Sequence, residues 1–206
     1  MPVQLRFETG LTGADYVTRQ GWRLASLERC PLHPRGGCGL ARHTPYRRKS
    51  PPGTYIARWY CRQGHCTFSL LPDHLAARFP GELVAIEQVV LAVAQARSVE
   101  AAADAVRPEA VTLPSAVRWV RRRLKLVAAL LVTVVGLFPE RLLGCAPQLL
   151  AVGARLDCSP VLPALREFAQ SHLATLPRPL GFHHRGHHGG GARRAFQHDM
   201  GPDPPR

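Results

Sequence analysis

Two clusters of cysteine and histidine, 22 residues apart, most constrain what this chain can fold into. The candidate metal ligands are Cys30, His33 and Cys38 on one side and Cys61, His65 and Cys66 on the other. The N-terminal sequence MPVQLRFETG has no basic segment followed by an apolar stretch, so it does not predict a signal peptide. We therefore expect a cytoplasmic protein with reduced thiols, in which clustered cysteines indicate a metal site rather than disulfides.

Zinc is the expected ion, because a structural zinc site takes four Cys or His ligands in tetrahedral geometry. Two ligands from each cluster suffice, and we prefer the four cysteines, with His33 and His65 as substitutes. A module of roughly 40 residues has too little core to fold alone, so Zn²⁺ supplies the missing stability. The alternative is that these cysteines are buried free thiols, which is the interpretation we give the isolated Cys145 and Cys158.

Short β-strands are predicted around the two clusters. β-branched and aromatic residues in rough alternation predict strands over residues 4–8, 42–48, 54–60 and 67–71. The Ser-Pro-Pro-Gly sequence at 50–53 predicts a turn between the second and third of them. After an N-terminal segment, 1–29, residues 30–72 are therefore predicted to form a zinc-ribbon-like hairpin module.

Helices are predicted after residue 72, which makes the fold class α+β. Their predicted ranges are a short helix after Pro72-Asp73 that Pro80-Gly81 stops, then 82–96, 99–106, 114 to about 138, and 161–175. This divides the chain into a helical domain at 73–138, additional helices at 139–176, and a His-, Gly-, Pro- and Arg-rich tail at 177–206 that we expect to be disordered.

The charge balance favours a polyanionic partner. The chain has 27 Lys and Arg residues against 14 Asp and Glu residues, a net charge of +13. An anionic membrane surface is the alternative to nucleic acid. The apolar stretch at 126–138 has 13 residues, whereas a transmembrane helix needs about 20, so we expect a buried core helix and no membrane partner.

A helix-turn-helix is predicted from Ser98, a good helix N-cap, through the second helix that begins at Pro114. In this motif the second helix enters the major groove of DNA. The residues predicted to contact DNA from that helix are Arg118, Trp119, Arg121, Arg122 and Arg123. Val117, Val120 and Leu124 are predicted to form its packed face. The alternative is a solvated basic face.

A second basic patch lies on the predicted hairpin. Arg47, Arg48 and Lys49, with Arg42, are candidates for phosphate contacts or for a solvated surface. Catalysis is not expected: the acids are scattered, and the sequence has no P-loop, no zinc-protease motif and no nucleophile-elbow motif.

Three segments of the chain resemble the transposase-associated zinc-ribbon plus helix-turn-helix region of bacterial insertion-sequence proteins. They are CPLHPRGGCG, ARWYCRQGHCTFSLLPDHLAARFPG and SVEAAADAV…AVRWVRRR. The resemblance covers roughly residues 30–124. In that family a C-x-x-C precedes Thr-Phe, whereas this chain has Gly64 at the second cysteine position and Cys66 two residues later. The resemblance implies sequence-specific DNA binding in a mobile-element setting, without the acidic catalytic domain.

We therefore expect a non-enzymatic DNA-binding protein, an accessory or remnant of a transposase, with a transposase or another protein as a further partner. Three alternatives stay open at this point. They are a zinc-stapled protein–protein adaptor without DNA binding, a membrane-surface protein that uses the arginine run, and a diverged reading frame without a selected function.

Overall fold

A four-stranded sheet forms the N-terminal half of the chain in the computed structural model, which describes residues 3–182. The strands are β1 (Val3–Phe7), β2 (Ala41–Arg47), β3 (Tyr55–Cys61) and β4 (Cys66–Pro72). Their spatial order is β1-β4-β3-β2. The strand pairs β2–β3 and β3–β4 are antiparallel, whereas β1 runs parallel to β4. All four predicted strands are confirmed, and the N-terminal strand completes the sheet.

The two faces of the sheet pack against different parts of the chain. Because side chains alternate along a strand, Trp59 and Cys61 of β3 lie on the same face as Phe68 and Leu70 of β4. That face covers Cys30, Cys38 and neighbouring residues of the loop before β2. The opposite face packs Ile56 and Leu71 against Leu75 and Ala77. The sheet therefore lies between the cysteine loop, which packs on one face, and the 73–82 loop, which packs on the other.

The segment after β4 is not the short helix that its sequence predicts. Residues 73–82 form turns closed by an isolated bridge between Leu75 and Glu82. Two arginines from distant parts of the sequence donate hydrogen bonds to backbone carbonyl groups of this loop. Arg48 donates to the carbonyls of Ala76 and Phe79, and Arg166 donates to those of Asp73 and Leu75. These side-chain bonds satisfy the loop backbone in a conformation that no local pattern predicts.

Seven α-helices are present within residues 3–182: α1 (Gly13–Thr18), α2 (Leu83–Gln95), α3 (Val99–Val106), α4 (Leu113–Leu137), α5 (Pro139–Leu142), α6 (Leu149–Leu156) and α7 (Val161–Phe168). Short 3-10 turns follow α1 at Gly21–Arg23 and α7 at Gln170–His172. The Ser98 hydroxyl accepts the Ala101 N–H at 3.0 Å and caps α3, as its sequence predicts.

The helical core forms around the second half of α4. Val127, Leu130 and Val134 are almost fully buried there, so one face of the apolar stretch lies in the core, as predicted. The prediction of a fully buried helix is wrong for the other face, where Val132 and Leu137 are exposed. Within the described part of the chain, no helix is both long and apolar enough to cross a membrane. α7 docks through Glu87 of α2, whose buried carboxylate accepts the N–H groups of Val161 and Leu162 at 2.8 and 2.7 Å. These bonds satisfy donors at the start of α7 that have no partner within the helix.

The C-terminal tail begins later than predicted. Leu180 is fully buried, and the Phe182 N–H donates to the Leu173 carbonyl. Arg166 donates to the carbonyls of Pro179 and Leu180, so these residues are part of the core rather than disordered. The prediction of disorder from residue 177 is therefore wrong for 177–182. The rest of the predicted tail, 183–206, lies outside the described residues.

Candidate metal centre and basic surface

One Cys₃His cluster lies against the sheet. Its four members are Cys30, His33, Cys38 and Cys61, and their ligand atoms all lie within 4.8 Å of one another. The three cysteines are buried, and His33 is half-buried. Three buried sulfurs and one imidazole nitrogen form a donor set that suits a tetrahedral zinc ion.

The distances within the cluster fit such an ion. The His33 Nδ1 atom lies 3.6 Å from the Cys30 sulfur and 3.3 Å from the Cys61 sulfur. A tetrahedral ion at about 2.3 Å from sulfur and about 2.0 Å from nitrogen holds the two ligand atoms about 3.5 Å apart. The residues therefore fit a metal ion with small adjustments, and with four protein ligands such an ion is structural, because no position stays open for water or substrate.

Local backbone geometry brings the first three ligands together. The His33 N–H donates to the Cys30 carbonyl at 3.0 Å, which closes a tight turn between these two ligands. Gly36 and Gly37 both have left-handed φ angles, 82° and 79°, and they turn the chain back so that Cys38 reaches the cluster. These are conformations that residues with a side chain rarely adopt, so the glycine pair sets the path of this loop.

Gly64 lies directly beside the cluster. The Gly64 N–H donates to the Cys61 sulfur at 3.2 Å. A Cβ atom at this position would lie 3.3 Å from that sulfur, 3.4 Å from the His33 ring and 2.8 Å from the Leu32 side chain. Position 64 is where a C-x-x-C knuckle has its second cysteine, and here it is a glycine packed closely against Leu32, the Cys61 sulfur and the His33 ring.

The preferred set of four cysteines is therefore not the set that the structure brings together. Cys66 pairs with Cys61 across the β3–β4 hairpin, but it is outside the cluster, and its thiol points to the Thr67 carbonyl at 3.9 Å. His65 is exposed at the hairpin turn, where its ring contacts the Tyr60 hydroxyl. Of the two substitutes, His33 replaces Cys66, and His65 does not take part.

The environment of the cluster favours one thiolate. Burial raises the pKa of Cys30, but hydrogen bonds to its sulfur from His33, from the Leu32 backbone and from Cys61 bring that pKa to about 7. Burial, together with the hydrogen bonds that its thiol donates to Cys61 and Cys30, raises the pKa of Cys38. The first cysteine thus reaches the metal-binding thiolate form near neutral pH.

The first half of α4 separates into an apolar and a cationic face. Val117 and Val120 are buried with Ala103 of α3 and Val89 of α2, and Leu124 packs against the same cluster, which confirms the predicted packed face. The opposite face is exposed and carries Arg118, Arg121, Arg122 and Lys125. The sequence reasoning missed Lys125, although it lies three positions after Arg122 and on the same helix face.

Two of the residues predicted to contact DNA from α4, Arg123 and Trp119, pack against each other. Arg123 is only 7% exposed, and its guanidinium carbon lies 3.5 Å from the centre of the Trp119 ring and 5.1 Å from that of Phe79. The same guanidinium donates to the Trp119 carbonyl. Burial and the neighbouring Arg122 charge lower the pKa of Arg123 to about 10. Arg123 is therefore a packing residue, whereas Trp119 is 40% exposed beside the cationic face.

The hairpin patch also divides into structural and exposed cations. Arg48 is half-buried and holds the carbonyls of the 73–82 loop, so it is not free to contact DNA. Arg42 donates to the carbonyls of Trp22 and Arg23 and stacks over the Trp59 ring. Arg47 and Lys49 are exposed at the end of β2 and beyond it.

Comparisons with known proteins add no relative. No protein-family model, curated protein or solved structure shows a significant match to this chain.

Proposed function

We propose that this chain is a DNA-binding protein in which a zinc ion, held by the Cys₃His cluster, stabilises the sheet module and the first half of α4 contacts duplex DNA. The observation that carries the proposal is the separation of α4 into two faces. Val117 and Val120 anchor the helix to α2 and α3, while Arg118, Arg121 and Arg122 are exposed together.

The arrangement of α3, the 107–112 loop and α4 supports a helix-turn-helix role. Both helices pack on α2 through one small apolar cluster. Arg107 fixes the loop, because it pairs with Asp104 at 2.7 Å and donates to the Val111 carbonyl at 2.9 Å. A helix held by one face on two others can present its free face to the major groove of DNA.

The cations on that face suit DNA in their chemistry. Arginine donates to phosphate oxygens and, in the major groove, to guanine O6 and N7. Arg121 forms an exposed pair with Glu100 at 2.8 Å, and exposed pairs of this kind contribute little stability, so DNA phosphates can compete for this arginine. The net charge of +13 adds long-range attraction for a polyanion. The resemblance to insertion-sequence proteins suggests that the DNA is part of a mobile element.

The double variant Arg118→Ala, Arg122→Ala tests the proposal. Binding to a 20-base-pair duplex is followed by fluorescence anisotropy between 0.05 and 0.5 M salt. The slope of log K against log salt is negative, about −0.9 for each phosphate contact, so we expect its magnitude to decrease by about 1.8 for the pair. Circular dichroism is expected to show an unchanged fold, since both side chains are exposed.

The matched control is Arg19→Ala, Arg141→Ala, which removes the same charge from exposed positions on or beside α1 and α5. It is expected to keep the wild-type salt slope. Equal losses in the two double variants would show that only net charge matters and would overturn a specific role for α4. Absence of duplex binding by the wild-type protein at 0.05 M salt would overturn the proposed function itself.

A further inference from the structure

A cationic groove lies beside the exposed face of α4. It has a volume of about 630 Å³ and is lined by Arg78, Arg122, Lys125 and Arg178, together with Leu126, Ala129 and Pro177. The four cations come from three separate segments: the loop after β4, α4, and the chain after α7. No aspartate or glutamate is among the described residues that line it. A volume of this size is within the usual range for ligand sites.

The fold holds the segments of this groove firmly together. The Ala77 N–H donates to the Pro179 carbonyl at 2.7 Å, which ties the neighbours of Arg78 and Arg178 to each other. Arg166, almost fully buried, donates to the Leu75 carbonyl at 2.6 Å and to the Pro179 carbonyl at 3.0 Å. The like charges are thus kept close by backbone bonds, although their mutual repulsion opposes this placement.

A second depression adjoins the groove at Arg78, on the side of the hairpin. Its volume is about 310 Å³, and it shares Arg78 with the first groove. Its lining includes Arg47 and Lys49 at the end of β2, again with no acidic residue among the described ones. The two depressions therefore join the exposed cations of α4 to those of the hairpin through Arg78.

We propose that this groove seats backbone phosphates of the DNA strand that α4 contacts, and that the strand path continues over Arg78 toward the end of β2. The inference rests on the proposed function and extends the α4 contact, through Arg122 and Lys125, to sequence-independent contacts at Arg78 and Arg178. Phosphate contacts of this kind fix the orientation of a protein on the duplex without reading its bases. The groove thus sets how α4 lies on the DNA.

The double variant Lys125→Gln, Arg178→Gln tests the groove, because both side chains are exposed and both lie outside the arginine pair on α4 used above. Its control is Arg19→Gln, Arg141→Gln. If each groove cation contacts one phosphate, the magnitude of the negative salt slope decreases by about 1.8, and duplex binding at 0.15 M salt weakens about 30-fold, with the curves converging near 1 M. The control pair is expected to follow the wild-type curve.

A second measurement uses a small phosphate probe and each single variant. Pyrophosphate is expected to raise the unfolding temperature of the wild-type protein and to have a smaller effect on Arg178→Gln, because a ligand stabilises the state that binds it. This measurement keeps the test valid if the double variant fails to fold.

Three results would overturn the inference. If the wild-type protein binds the duplex but the groove variant keeps the wild-type salt slope, the groove plays no part and the proposed function stands. If the wild-type protein binds no duplex, both fall together. If vesicles of phosphatidylcholine and phosphatidylserine bind in an Arg178-dependent manner and the duplex does not, the phosphate recognised is a lipid headgroup.

Discussion

His74 makes the stability of this protein depend on pH. Its ring lies in the loop after β4, 5.3 Å from the Tyr16 ring in an edge-on contact. Neither ring nitrogen has a hydrogen-bond partner among the described residues. Burial, together with the nearby charges of Arg166 and Arg48, lowers the pKa of His74 from 6.5 to about 4. The folded protein therefore holds this imidazole neutral at a pH where the unfolded chain protonates it.

The sign and size of the effect follow from this difference in pKa. The stabilisation is fully present above pH 6.5 and is lost as the pH falls toward 4, because only the unfolded chain takes up the proton in that interval. At 1.36 kcal/mol for each pKa unit, the loss between pH 7 and pH 5 is about 2 kcal/mol. Partial exposure of the ring screens the charge, so we expect about 1–2 kcal/mol.

The variant His74→Phe keeps an aromatic ring against Tyr16 and removes the titrating group. The free energy of unfolding of both proteins is measured by urea titration at pH 7 and at pH 5. We expect the difference, variant minus wild type, to be about 1–2 kcal/mol larger at pH 5 than at pH 7. Any effect of acid on the metal centre is common to both proteins and cancels in this difference. A difference that stays constant between the two pH values would refute the assigned cause.

Three further predictions concern the metal centre and the core. His33→Ala is expected to lower the zinc content measured by plasma emission, whereas His65→Ala and Cys66→Ser keep it at the wild-type level; equal contents in all three would contradict the assigned ligands. Gly64→Ala crowds the cluster and is expected to weaken zinc retention against a colorimetric chelator. Glu87→Gln leaves a buried N–H of α7 without its acceptor, so urea titration is expected to show a loss of about 2–3 kcal/mol, whereas a loss near zero would contradict the assigned contact.

Local patterns in the sequence predict most of the secondary structure. Alternation predicts the strands, and the Ser98 cap and Pro114 place the starts of α3 and α4 within one residue. Helical periodicity could also have predicted that Arg123 is buried. It lies three residues after Val120 and seven after Ala116, on the buried face, so three consecutive arginines cannot all be exposed.

Features set by distant contacts lie beyond this kind of reasoning. The loop at 73–82 depends on Arg48 and Arg166, which are remote in sequence. The membership of His33 in the cluster depends on where the fold places Cys61, which lies 28 residues away along the chain. The cationic groove joins three segments, and no spacing along the chain relates Arg78 to Arg178. Spacing identifies candidate ligands and cations, but only the fold decides which of them meet.

The bonds of Arg166 also constrain the order in which the protein is completed during synthesis. Its guanidinium joins carbonyls of Asp73 and Leu75 to those of Pro179 and Leu180, and these partners are made more than one hundred residues apart. Until α7 has been synthesised, the 73–82 loop lacks the hydrogen bonds from Arg166. The boundary between the strands and the helices therefore cannot gain all of these bonds until Pro179 and Leu180 have been synthesised.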